Sequence, residues 1–123
     1  MELKDIENFI SRILIFCIID NHGYVMIKVP NIGVKNKIHL ILSARYLAYQ
    51  IQILNNQNLS IRESVENKEL QKMLRQSLKI ITTRISDLRV NRYIKDVSKS
   101  VYEVKPDSIE ILIAKLENES NGN

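Results

Sequence analysis

The chain has no tryptophan, one cysteine, two prolines and three glycines in 123 residues, and each shortage narrows what it can be. Cys17 is alone, inside an apolar run, so neither an intrachain disulfide nor a thiolate zinc site can be built. Gly23, Gly33 and Gly122 stand far apart, which excludes a glycine-rich phosphate loop. The longest apolar run, Ile13 to Ile19, is far short of the roughly 18 residues that a membrane span needs, and the first residues lack a signal-peptide pattern. A soluble, cytoplasmic protein without membrane association is expected. The only histidines, His22 and His39, have no cysteine or carboxylate at metal-ligand spacing, and structural roles are expected for both. Acidic residues are scattered over surface positions, so no general acid/base couple is expected, and with it no enzyme activity, metal or cofactor. Tyr46 and Tyr49 read as core or interface residues.

What is present is an ordinary globular composition, 45% hydrophobic and 26% charged, enough for one domain with a single core. The net charge of +4 is unevenly placed. Between Arg62 and Lys105 there are 11 basic and 6 acidic residues, against 7 and 8 in the remainder. A local basic excess suits a polyanion, whose affinity comes largely from counterion release.

From the N-terminus, Ile6, Phe9, Ile10, Ile13 and Leu14 follow helical spacing. The β-branched run from about Ile13 to Ile19, the turn Asn21-His22-Gly23 and the segment Tyr24 to Val29 then predict a β-hairpin that Pro30 ends. Read as a strand, the first arm puts Ile13, Ile15, Cys17 and Ile19 on one face and Leu14, Phe16 and Ile18 on the other. A two-stranded ribbon cannot bury two apolar faces alone. Either the second face contacts another copy of the chain, or the domain folds around the hairpin completely. Residues 1–35 thus form an N-terminal helix and hairpin extension. Asn36 is placed to cap a central helix from Lys37 to Leu54, apolar over more than half its circumference. Asn55 to Asn58 reads as loop, and Leu59 to Val65 as an irregular or extended piece anchored by Leu59, Ile61 and Val65.

Asn67 is suited to cap a short helix, Lys68 to Leu74, followed by a turn at Arg75 and Gln76. Ser77 caps a second helix whose buried stripe is Leu78, Ile81, Ile85 and Leu88. This is the local plan of a helix-turn-helix. The outer face of the second helix carries Lys79, Ile80, Thr82, Thr83, Arg84, Ser86 and Asp87, with Arg89 and Arg92 near its end. Such a face matches major-groove readout, where cations and hydroxyls meet base edges and an apolar side chain meets a thymine methyl. Tyr93 to Val97, the turn Ser98-Lys99-Ser100 and Val101 to Val104 form a second hairpin, with Lys95 and Lys99 placed for phosphates.

The stretch from Ile38 to Leu116 resembles winged helix-turn-helix DNA-binding domains of archaeal and bacterial regulators. The resemblance rests on Asn67-Lys68-Glu69-Leu70, on Ser77 through Thr83-Arg84-Ile85-Ser86-Asp87-Leu88-Arg89, on Tyr93-Ile94-Lys95 and on Val101-Tyr102-Glu103-Val104. It implies an α+β fold with a winged helix-turn-helix over residues 36–118. It also implies DNA contact by Ser77 and Lys79 to Arg84, with Tyr102 and Val104 packing the wing on the domain. Asn91 stands where a glycine often precedes the wing, and is suited to a left-handed helix end. The expected function is binding of double-stranded DNA by a sequence-specific, homodimeric transcriptional regulator. Its expected DNA contacts are Ser77, Lys79, Ile80, Thr82, Thr83, Arg84, Arg89, Arg92, Lys95 and Lys99. The alternatives are a winged-helix protein-interaction module and a DNA-partitioning or architectural factor. After Pro106, the helical stripe Ile109, Leu112, Ile113 and Leu116 can pair with a second copy or pack on the N-terminal hairpin. The last residues, 119–123, are expected to fray.

Overall fold

The computed structural model describes residues 2–56 and 60–121. Its fold is α+β, with five α-helices and two small antiparallel sheets among the described residues. Helix α1 spans Leu3–Ile13 and buries Ile6 and Ile13, with Phe9 and Ile10 packed beside them. This is the stripe that its spacing predicts. The first hairpin is shorter than expected. Strands β1 (Cys17–Ile19) and β2 (Val25–Ile27) pair in the register Cys17↔Ile27, Ile18↔Met26 and Ile19↔Val25. The helix continues through Ile13, and Ile15 and Phe16 donate to carbonyls of Arg12 and Ile13, so strand alternation does not hold before Cys17. Phe16 and Cys17 are consequently both buried, whereas Ile15 is 60% exposed. Gly23, at φ +86°, makes the turn between the two strands.

Helix α2 (Val34–Leu54) is the centre of the molecule. It starts three residues before the expected Lys37, because Gly33 rather than Asn36 occupies the cap position. Ile38, Leu40, Ile41, Leu42, Ala44 and Leu47 are fully buried, as expected for a helix covered on most sides. In its last turns, the carboxamide of Gln52 pairs with both the N–H and the carbonyl of Ile61, at 3.1 Å each. Of the loop expected after α2, residues 57–59 lie outside the described residues, and with them the anchoring expected of Leu59.

The segment leading into the next helix contains a strand, β3 (Val65–Glu66), that periodicity over two residues cannot reveal. Helix α3 (Asn67–Leu74) follows immediately. Its cap is Glu66, not Asn67: the Glu69 carboxylate accepts from the Glu66 N–H at 2.8 Å. Asn67 is buried, and its amide donates to the Tyr102 hydroxyl at 3.3 Å. Arg75, at φ 53°, ends α3 in the left-handed region.

Helix α4 (Leu78–Val90) is capped by Ser77, whose hydroxyl accepts from the Ile80 N–H at 3.3 Å. Ile81, Ile85 and Leu88 are fully buried, but Leu78 is 53% exposed and does not belong to the stripe. As the first residue of the helix it lies at the edge of the α3 contact, beyond the core. Arg92, at φ 63°, takes the left-handed conformation expected of Asn91, which stays right-handed. Strands β4 (Ile94–Ser98) and β5 (Val101–Val104) form the second hairpin, and β3 adds to it in the order β3-β5-β4. The register shifts between Asp96 and Ser98, leaving Val97 exposed. Tyr102 and Val104 are buried under the sheet.

A single 3-10 turn, Pro106–Ser108, leads into α5 (Ile109–Asn121). Ile109, Leu112, Ile113 and Leu116 are all buried. The helix runs on through Asn121, into the span expected to fray, and Arg12 ties it to α1 by bridging Glu110 (2.8 Å) and Glu117 (2.7 Å). One continuous hydrophobic cluster joins Ile6 and Val25 to Leu88 and Leu116, so the N-terminal extension shares the core of the rest. No described helix is long and apolar enough to cross a membrane.

Candidate nucleic-acid interface

With Ile81, Ile85 and Leu88 fixed in the core, the helical period turns Lys79, Ile80, Thr82, Thr83 and Ser86 outward, and all five are exposed. The Thr82 hydroxyl donates to the Leu78 carbonyl (2.7 Å) and that of Thr83 to the Lys79 carbonyl (2.9 Å). Their protons are therefore committed to the backbone. What each threonine offers outward is a methyl group and oxygen lone pairs, suited to an amino donor or an apolar neighbour. Ile80 is 42% exposed beside them.

The cations divide into two groups. Lys79, Arg92 and Lys99 form no ion pair among the described residues, and all three are exposed. Arg84, Arg89 and Lys95 each meet a carboxylate of their own chain: Asp87 at 3.4 Å, Asp96 at 2.9 Å and Glu103 at 3.6 Å. Of these, Arg89 is the most firmly held, because its Nε and Nη2 take both oxygens of Asp96 in a fork. The guanidinium draws the Asp96 carboxyl below its ordinary range. This pair clamps the end of α4 to β4, and an Arg89 so engaged is first a positioning residue. Lys99 sits at the tip of the second hairpin, where Ser100, at φ 61°, completes a two-residue turn.

Two open clefts flank α4. One, of about 500 Å³, lies between α4 and the start of α2 and is lined by Val34, Lys35, Lys79, Ile80, Thr83 and Arg84. The other, of about 420 Å³, lies between α3 and the hairpin tip and brings together Lys68, Gln71, Leu78 and Lys99. Lys35, Lys68 and Gln71 were not among the expected contacts. The one sequence signal for Lys35 is that the first turn of α2 has no acidic residue.

Glu63, before β3, and Glu103, on β5, lie together, so acidic residues do pair in this fold. Burial, a hydrogen bond with Glu103 and the charge of Glu103 raise the Glu63 carboxyl to about 7, against the opposing pull of Lys95. Among the described residues no group of side chains could hold a metal ion.

Comparison with known protein families, with curated proteins and with solved structures gives no match to this chain.

Proposed function

We propose that this is a winged helix-turn-helix protein that binds double-stranded DNA as a homodimeric, sequence-specific regulator rather than an enzyme. In this reading α3 and α4 are the helix-turn-helix and the β4–β5 hairpin is the wing. The observation that carries it is the outward face of α4, with Lys79, Ile80, Thr82 and Thr83 exposed, immediately ahead of an exposed hairpin tipped by Lys99. Lys79 would reach guanine acceptors, the threonine oxygens would accept from adenine or cytosine amino groups, and Ile80 would meet a thymine methyl. Arg92 and Lys99 would supply phosphate contacts that position the protein without reading sequence.

Binding titrations against selected genomic DNA and random DNA test this. Lys79→Ala or Thr83→Ala is expected to cost about 1–3 kcal/mol on the preferred site and much less on random sequence. Lys99→Ala is expected to weaken both equally and to lower the salt slope by about one. Unchanged affinity in all three variants would remove the assignment. Equal losses on both DNAs would favour a sequence-independent partitioning or architectural role.

A second reading, a protein-interaction module on the same fold, is favoured by the self-pairing of Arg84, Arg89 and Lys95 and by the exposed Leu78 in the cleft between α3 and the hairpin tip. Gel shifts at two salt concentrations separate them, because only a DNA binder loses affinity steeply as salt rises.

A further inference from the structure

The structure separates the two surfaces on which a second copy of the chain could dock. The apolar stripe of α5 is spent within the chain, since Ile109, Leu112, Ile113 and Leu116 are buried against α1 and α2. The first hairpin is spent on one face only. Cys17 and Val25 face α2, while on the other side Ile18 and Met26, cross-strand partners, are 52% and 58% exposed. Tyr24, two residues from Met26, and Leu14 and Ile15, at the end of α1, extend this apolar surface at its two ends. Exposed patches of about 300–600 Å² on a monomer are the size at which a binding role is common. Five half-exposed large side chains fall in that range, and with a polar rim they approach the roughly 800 Å² per partner of a stable complex.

We propose that this outer hairpin face is a homodimer interface, in which a second copy of the chain packs its own hairpin antiparallel to the first. The charges at the ends of the ribbon select both the occupant and the orientation. Asp20 lies at the turn end, its carboxylate held there by the N–H groups of His22 (2.8 Å) and Tyr24 (2.9 Å). Lys28 lies at the other end, its backbone paired with Phe16 and its ammonium on the Leu14 carbonyl (3.1 Å). A two-fold axis lying in the interface, crossing the strands over the Ile18–Met26 row, sets the acidic end of each copy against the basic end of the other. The alternative axis, along the strands, opposes Lys28 to Lys28 and Asp20 to Asp20, and like charges reject it. The face is thus complementary to itself in one arrangement. This inference deepens the homodimeric part of the reading above and does not depend on what α4 binds.

Sedimentation equilibrium of the whole chain, without DNA, tests it. The wild type is expected to dimerise at micromolar concentration, and Ile18→Lys with Met26→Lys to be monomeric with unchanged circular dichroism and a cooperative melt that no longer depends on protein concentration. Ile111→Lys, on the outer side of α5, is expected to dimerise as the wild type does. Asp20→Asn keeps the acceptor that the turn needs and Lys28→Gln keeps the stem. Each is expected to weaken the dimer several-fold, and the two together by less than the product of the separate effects. A monomeric wild type, a dimer that survives Ile18→Lys with Met26→Lys, or dissociation by Ile111→Lys overturns the interface. Fully multiplicative effects of Asp20→Asn and Lys28→Gln overturn the antiparallel arrangement. Loss of DNA binding by the Lys79 and Thr83 variants is measured separately, so either conclusion can fail alone.

Discussion

Replacing Arg45 by alanine is expected to lower the stability of the folded chain by about 3–5 kcal/mol, the range for removing one partner from a buried, hydrogen-bonded ionic network. Arg45 is a charged residue on the central helix, 3% exposed, and its guanidinium serves three separate segments. Nε donates to the Gly23 carbonyl (2.9 Å), Nη1 to the Ser64 carbonyl (3.2 Å) and Nη2 to the Glu69 carboxylate (3.0 Å). One side chain thus holds the turn of the first hairpin, the strand leading into α3 and the first turn of α3 against α2. Truncation leaves acceptors unpaired and a cavity where the planar group lay. Glu69, which also holds the Glu66 N–H through its other oxygen, loses the cation that orients it. Urea or thermal unfolding measures the loss, expected as a drop in melting temperature of roughly 10–20 °C. A loss below about 1 kcal/mol would mean that water replaces the guanidinium without cost, contrary to this account. Arg45→Lys is expected to recover only part, because a point charge cannot reproduce the fork. Gly23→Ala is expected to act on the same node. A Cβ there would stand 2.7 Å from Arg45 Nε, on a backbone at φ +86° that L side chains rarely adopt.

The hub also explains which parts of the molecule could be read from the chain and which could not. Helix α4 was legible because its signals are local: a serine cap, then Ile81, Ile85 and Leu88 at helical spacing. The same holds for α5 and for the β4–β5 hairpin, whose partners lie within a few residues of each other. Features made by distant segments were not legible. Arg45 lies 22 residues from Gly23 and 24 from Glu69, and its position on an apolar helix carries no mark of either partner. Strand β3 exists because β5 offers it an edge, since two residues have no periodicity of their own. The Ile13–Ile19 run shows the opposite hazard. Seven consecutive apolar residues satisfy helix and strand patterns alike, and the structure uses the first as helix, the middle as turn and the last three as strand. For the candidate interface, the outward directions of Lys79, Ile80, Thr82, Thr83 and Ser86 on α4 were readable, whereas Leu78, read as inward, is exposed. The pairing of Arg89 with Asp96, and of Glu63 with Glu103, depended on the register of a sheet that the sequence does not spell out.

Two titrating groups, His39 in the core and the half-buried Glu63, shift with opposite consequences for stability. His39, on α2, is 1% exposed, stacks on Tyr93 with ring centroids 5.0 Å apart, and has Nε2 2.9 Å from the Ser108 hydroxyl. That hydroxyl has one proton, and the carbonyls of Tyr93 (3.0 Å) and Lys105 (2.8 Å) both compete for it. Ser108 Oγ therefore accepts from His39, which fixes the neutral tautomer with its proton on Nε2. Burial, reinforced by the charges of Lys115 and Lys35, lowers the imidazole from 6.5 to about 4. Between these values the unfolded chain binds a proton that the folded chain refuses, so this group makes stability fall as pH falls. The span corresponds to about 3 kcal/mol. Glu63 acts the other way, because its carboxyl is raised from 4.5 to about 7 and the folded chain holds a proton that the unfolded chain has released. Its contribution favours the folded state at low pH and is lost as pH rises through about 7. Partial solvent screening reduces it to about 1–3 kcal/mol. From pH 4.5 to 6.5 the two oppose, and the wild type is expected to show a shallow dependence there. His39→Gln, which keeps a donor for Ser108, is expected to leave a chain that gains stability on acidification across that window. Glu63→Gln is expected to leave one that loses it more steeply than the wild type. Urea titrations at half-unit pH steps distinguish the three curves, and curves of identical slope would show that neither group is perturbed by the fold as its surroundings require.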